Sequence, residues 1–194
     1  MVQPPELPFD TILIANRGEI ACRVIRTARA MGLKTVAVYS EADARALHVE
    51  AADQAVNIGA APAAQSYLRV EAIVAAAKQT GARAIHPGYG FLSENAQFAR
   101  DLEAAGLTFI GPGVRAIEVM GDKIASKKFA VQANVNTVPG YVGEIDGPDE
   151  ARRIAKEIGF PVMIKAAAGG GGKGMRIART EDEVAEGYAT AVSE

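Results

Sequence analysis

Short apolar runs alternate with stretches of helical spacing along most of this chain, and glycine or proline separates them. Thr11-Ile12-Leu13-Ile14-Ala15 is apolar up to Asn16-Arg17-Gly18, which predicts a buried parallel strand followed by a tight turn. From Glu19 the period changes. Ile20, Ala21, Val24, Ile25, Ala28 and Met31 share one helical face, Arg23, Arg26 and Arg29 fall off it, and Gly32 marks the stop. Lys34 to Tyr39 supplies a second strand and completes a βαβ unit. A weak third strand is expected over Ala55–Gly59, and an alanine-rich helix from about Arg69 to Gln79. A fourth strand follows at Ala84–His86, a helix over Ser93–Ala105, and a fifth strand at Thr108–Ile110. This succession predicts a doubly wound, Rossmann-like α/β fold, an architecture that does not name a function.

Beyond Gly111-Pro112 the pattern loosens. A short helix from Arg115 to Met120 leads to a second one running to Ala133, with Asp122 placed to cap it. Val138 to Tyr141 reads as a strand, and the acidic, glycine-bearing segment 143–148 as a loop. Pro148-Asp149-Glu150 opens a helix that Gly159 closes. Val162 to Lys165 then reads as a buried strand and Met175 to Ala178 as its return, with Gly169 to Gly172 between them. Thr180-Glu181-Asp182-Glu183 has the form of a capping box for a last helix. The division expected is a loose lead-in over 1–8, a first domain over 9–122, and the incomplete start of a second over 123–194.

The glycine segment carries the chemistry. Four consecutive residues without a Cβ let backbone N–H groups approach an anion closely, and Lys165 and Lys173 bring positive charge from two points. Such a strand–loop–strand suits a polyphosphate. It is not a P-loop: counting back from Lys173, the first required glycine falls at Ala167, and Gly174 follows where a hydroxyl is needed. Nor is a dinucleotide fingerprint present. A single glycine follows the first strand, and Gly88-Tyr89-Gly90-Phe91-Leu92-Ser93 after the fourth lacks the acid that would hold a ribose, Thr108 standing there instead. Lys123, in the first turn of its helix, opposes the macrodipole, and by itself reads as a solvated surface lysine.

Composition narrows the classes. Hydrophobic residues at 49% and charged residues at 23% are those of an ordinary globular chain. A net charge of −2 provides no global basic field for nucleic acid. The one cysteine, Cys22, excludes an internal disulfide and suits a reducing compartment, where it reads as a small packed side chain. No apolar run is long enough to span a membrane, and the proline-bearing N-terminus has no basic region of a signal or transit peptide.

From Phe9 onward the chain resembles the biotin carboxylase component of the biotin-dependent carboxylases. Four motifs stand in the order found there: Ile14-Ala15-Asn16-Arg17-Gly18-Glu19-Ile20-Ala21, His86 through Asn95, Met120-Gly121-Asp122-Lys123, and the glycine hairpin 160–178. Val135 to Tyr141 and Pro161 to Lys165 are most similar to the α subunit of an acyl-CoA carboxylase of the propionyl-CoA type. The resemblance implies a preATP-grasp domain followed by the first part of an ATP-grasp α+β domain. It also implies ATP-dependent carboxylation of biotin with bicarbonate through carboxyphosphate. On it, Lys123 and Lys165 are nucleotide-binding lysines, Gly171 and Gly172 belong to the loop whose amides cover the phosphates, and Met175 lies near the nucleotide. Tyr89 becomes the contact to the biotin and bicarbonate pocket, and Arg23 and Arg26 match a surface that forms dimers in free-standing relatives, a solvated arginine face being the alternative. His86 reads as a structural histidine in a turn, with general-base work as the alternative. The Mg²⁺ carboxylates, bicarbonate ligands and catalytic base are expected beyond residue 194, so that the chain alone should not carboxylate free biotin. The implied partners are a biotin carrier domain and a carboxyltransferase (β) subunit in an oligomeric enzyme. The implied compartment is the cytoplasm, or the mitochondrial matrix in a eukaryote. A silent assembly module and another ATP-grasp ligase are the alternatives.

Overall fold

The computed structural model describes residues 8–165 and 175–193. Among them no helix is long and apolar enough to cross a membrane. The chain divides into two compact units, Met1–Glu118 and Val119–Glu194.

The first unit is built on five parallel strands, β1 (Thr11–Ile14), β2 (Lys34–Ser40), β3 (Gln54–Gly59), β4 (Ala84–His86) and β5 (Thr108–Phe109), in the order β3-β2-β1-β4-β5. Its helices are α1 (Gly18–Ala30), α2 (Leu47–Ala51), α3 (Val70–Thr80), α4 (Ala96–Ala104) and α5 (Val114–Gly121), the last running across the division between units. Strands apolar at every position are what a sheet covered on both faces requires, and β1 is buried throughout. Alternate residues face opposite ways. Leu13, Val36, Val38 and Ile85 pack with Ile73, Ala77, Phe98 and Leu102 of α3 and α4. Ile12, Ile14 and Ala84 pack with Ala21, Val24, Ile25 and Ala28 of α1. A three-layer αβα sandwich results.

The five strands and the helices α1, α3 and α4 stand in the order that periodicity predicts, with corrections of detail. Met31 does not share the buried face of α1. It is the C-cap, 53% exposed, because the chain has left the helix by then. Helix α4 begins at Ala96 rather than Ser93, since Asn95 caps it by accepting a 3.0 Å hydrogen bond from Phe98 N. Helix α2 and the 3-10 turns at Glu41–Asp43 and Ala63–Gln65 lack a periodic signal and were not expected.

The second unit contains α6 (Lys123–Gln132), α7 (Pro148–Ile158), the antiparallel pair β6 (Val162–Lys165) and β7 (Met175–Ala178), and α8 (Glu181–Ser193). Asp122 caps α6, its carboxylate accepting from Ala125 N at 2.6 Å. At α8, Glu183 N donates to Thr180 Oγ1 while the Glu183 carboxylate accepts from Arg179 N at 2.7 Å. This is a capping box displaced by one residue. Two expectations fail here. Val138 to Tyr141 forms no strand, because no partner strand lies alongside it among the described residues. And β6 is not a buried strand. Val162, Ile164 and the Ala178 paired with Val162 pack on Ala151 and Ala155 of α7 and Val184 of α8. Met163 and Ile177, paired on the other face, remain 52% and 53% exposed. In a two-stranded sheet packed on one side, side-chain alternation must leave the other side open.

Candidate functional site

In the first unit the strand order reverses between β1 and β4: the chain builds outward through β2 and β3, then returns to the far side of β1. Loops leaving the C-terminal ends of two such strands diverge and open a crevice, the place where doubly wound sheets take ligands. A cavity of about 400 Å³ lies there, lined by Asn16, Arg17, Gly18, Glu19 and Ile20 after β1 and by Tyr89, Gly90 and Phe91 after β4. Ala15 N extends the ladder by donating to His86 O at 2.9 Å, so both loops start from a rigid edge.

Asn16 joins the two loops. It is buried, and its Nδ2 donates to Pro87 O at 2.8 Å and to Tyr89 O at 2.9 Å, while its Oδ1 accepts from Arg17 N at 2.9 Å. Gly88 makes this close approach sterically possible. Its φ is +66°, and an added Cβ would lie 2.7 Å from both Asn16 Nδ2 and Ile20 Cγ2. The Tyr89 hydroxyl donates to the Glu19 carboxylate at the start of α1, and this bond, together with the nearby negative charge, pushes the phenol pKa up. Tyr89 thus borders the cavity. His86 does not line it. Burial, with Arg23 nearby, pushes its pKa down, and its Nδ1 accepts from Gly88 N at 2.9 Å, so it serves the turn as a neutral ring.

A second group of side chains supports the cavity from behind. Arg17 lies over two stacked rings, its guanidinium carbon 5.5 Å from the Tyr67 centroid and 5.7 Å from that of Phe91. Its NH1 also reaches Asp43 at 3.3 Å. Asp43 accepts from Tyr67 OH at 2.6 Å and Ser40 Oγ at 2.9 Å. Burial pushes the Asp43 carboxyl up, but the hydrogen bonds from Tyr67, Ser40 and Arg17 outweigh it and hold the group below its ordinary range. Burial and the Asp43 acceptor push the Tyr67 phenol up to about 12. His48 is wholly buried beneath the turn. Gly18 N donates to its Nδ1 at 3.4 Å, Val38 O lies 3.3 Å from its Nε2, and burial pushes its pKa down. Sequence reasoning missed Asp43, His48 and Tyr67, and it included Phe91 only as a member of the motif from His86 to Asn95 without a role of its own. All four sit on turns or, for His48, on the short helix α2, none with a periodic signal, and what they share is that they follow the C-terminal ends of strands.

In the second unit, register decides which residues meet. Lys165 pairs with Met175 across the hairpin, on the open face with Met163 and Ile177. The structure therefore brings together two of the residues the sequence singles out, one cationic and one apolar, at the end from which the glycine segment departs. Gly171, Gly172 and the Lys123 side chain lie outside the described residues, although the backbone of Lys123 opens α6. Among the described residues no group of three or more His, Cys, Asp or Glu could hold a metal ion.

Comparison with known proteins agrees with both halves. Residues 8–117 match the family model of the biotin carboxylase N-terminal domain, and residues 122–194 that of the ATP-binding domain of the carbamoyl-phosphate synthase L chain. The propionyl-CoA carboxylase alpha chain of Ruegeria pomeroyi is 62% identical over 186 residues, 96% of this chain and 27% of that one. The mitochondrial human alpha chain is 60% identical over 185 residues, 95% of this chain and 25% of that one. This chain thus spans about a quarter of the length of those relatives. Among solved structures, a Campylobacter jejuni biotin carboxylase in complex with β-γ-ATP is 48% identical with a TM-score of 0.90, over 96% of this chain and 42% of that one. The biotin carboxylase domain of Hydrogenobacter thermophilus 2-oxoglutarate carboxylase, with MgADP, ADP and bicarbonate, is 53% identical with a TM-score of 0.88, over 97% of this chain and 41% of that one. With more than half its length matched by the first model, the chain belongs to the biotin carboxylase N-terminal domain family.

Proposed function

We propose that this chain is part of an enzyme that carboxylates biotin with bicarbonate and ATP by way of carboxyphosphate, within an acyl-CoA carboxylase of the propionyl-CoA type. The observation that carries the reading is the hairpin's open face, where Lys165 stands opposite Met175 on either side of the glycine segment. Bound ATP, with Mg²⁺, supplies the phosphoryl group that activates bicarbonate. Lys165 and Lys123 hold its phosphates and stabilise the charge that develops during transfer, while amides of Gly171 and Gly172 cover them. Met175, with Met163 and Ile177 beside it, gives the planar base an apolar and adaptable surface. In the first unit, Tyr89 borders the cavity that receives bicarbonate or the ureido ring of biotin. The partners are a biotin carrier domain and a carboxyltransferase β subunit, in an oligomer to which Arg23 and Arg26 on the outer face of α1 contribute. Its setting is the cytoplasm, or the mitochondrial matrix in a eukaryote.

The test is ADP release by the intact native protein, with and without biotin and bicarbonate. Release should depend on both. Lys165→Ala should raise KM for ATP by about ten- to a hundredfold, as expected for one charge-assisted bond to phosphate. An unchanged KM, or release indifferent to biotin, refutes the reading.

A further inference from the structure

Phe91 lines the cavity with φ at +41°, in the left-handed region that a bulky residue occupies only when its surroundings compel it. What compels it is visible. Its ring lies flat on Tyr67, centroids 5.0 Å apart and planes 5° from parallel. Tyr67 is itself fixed at the far end, where its hydroxyl donates to Asp43 at 2.6 Å and accepts from Ser40 N at 3.1 Å. Both Tyr67 and the Ser40 it meets are buried. The same Asp43 oxygen receives Arg17 NH1, and the Arg17 guanidinium spans both rings. Two walls of the cavity, Phe91 and Arg17, are therefore held by one residue that does not line it.

We propose that Tyr67 is a positioning residue for this cavity: its stack with Phe91 and its bond to Asp43 hold Phe91 in the left-handed conformation and Arg17 across the rings, so that the site is shaped before ligand arrives. Without the stack, Phe91 relaxes to an ordinary backbone conformation, the Gly90–Leu92 turn opens, and Arg17 loses one of its two supports. That the ligand is bicarbonate or biotin rests on the function proposed above. The positioning itself does not.

The experiment uses the intact protein and three variants. Tyr67→Leu removes the stack, and should raise KM for biotin or bicarbonate at least about tenfold while leaving KM for ATP within about twofold, because the ATP-binding candidates lie in the other unit. Tyr67→Phe keeps the ring and loses the hydroxyl's bonds to Asp43 and Ser40 N, so a smaller rise of about threefold is expected. Adding Phe91→Asn to Tyr67→Leu should recover much of the loss, since asparagine tolerates the left-handed region without a stacking partner. A crystal structure of each variant reads the backbone at residue 91 independently of activity. The proposal is overturned if Tyr67→Leu leaves residue 91 at positive φ, if both KM values rise together, or if the asparagine brings no recovery. Should Tyr67→Leu not fold, an unchanged biotin and bicarbonate KM in Tyr67→Phe overturns it. A wild-type protein without biotin-dependent turnover defeats the functional reading alone, and the structures still decide the positioning.

Discussion

The two units of this chain use the same residue types to opposite ends. In the first, β-branched and leucine side chains on β1, β2 and β4 are covered on both faces of the sheet, and the cavity is made from loops at its edge. In the second, one face of β6 and β7 packs on α7 and α8, while Met163, Lys165, Met175 and Ile177 stay at the surface. An apolar strand residue is therefore covered in the first unit, whereas on one face of the hairpin in the second it stays at the surface. What separates the cases is the number of layers available to cover the sheet.

The sharpest way to break that contrast is to shorten matched side chains. Leu13→Ala or Ile85→Ala, both at fully buried positions, should cost about 2–5 kcal/mol. Ile177→Ala should stay within about 0.5 kcal/mol. The chain has no tryptophan, so far-UV circular dichroism in urea gives the totals and hydrogen exchange assigns them to units. Comparable losses at Ile85 and Ile177 would erase the distinction.

Glycines around the cavity give the next largest effect. Gly88→Ala should cost about 2–3 kcal/mol, since the Cβ meets Asn16 and Ile20 in addition to the unfavourable φ. Gly90, at φ +70° with open space around it, carries the backbone penalty alone, about 1–2 kcal/mol. Equal losses in the same denaturation experiment would mean that Asn16 is not held tightly against the turn.

The mildest effect is on pH dependence. Both histidines, His48 and His86, belong to the first unit, and burial holds each below its ordinary pKa. The folded state therefore resists protons that the unfolded chain accepts near pH 6.5. Their contribution is complete above that value and declines as pH falls below it. Hydrogen exchange followed from pH 7.5 to 5.5 should show the first unit losing protection against global opening relative to the second, after correction for intrinsic rates. A parallel decline in both would contradict it.

Much of this was legible in the one-dimensional pattern. The periods that mark β1 through β5, α1, α3 and α7 lie within single segments, so burial of one face is already written into the spacing. The hairpin was legible too, and with it Lys165 and Met175, because two short strands flank the glycines that join them. Val138–Tyr141 shows the limit: apolar residues there suggested a strand, and a strand exists only when another lies beside it. The open face of β6 failed for the same reason, since four residues read alike whether one face is covered or two.

By itself, then, the sequence determined the order of the main elements, the doubly wound class of the first unit, and the residue types that flank the glycine segment, because local spacing and turn chemistry govern each. Only the tertiary structure decided that Asp43, Tyr67, Phe91 and Arg17 meet. Tyr67 lies 24 residues from Asp43, on a turn with no period of its own. What brings them together is the parallel sheet, in which β1, β2, β3 and β4 lie side by side and deliver the segments that follow them to the same end.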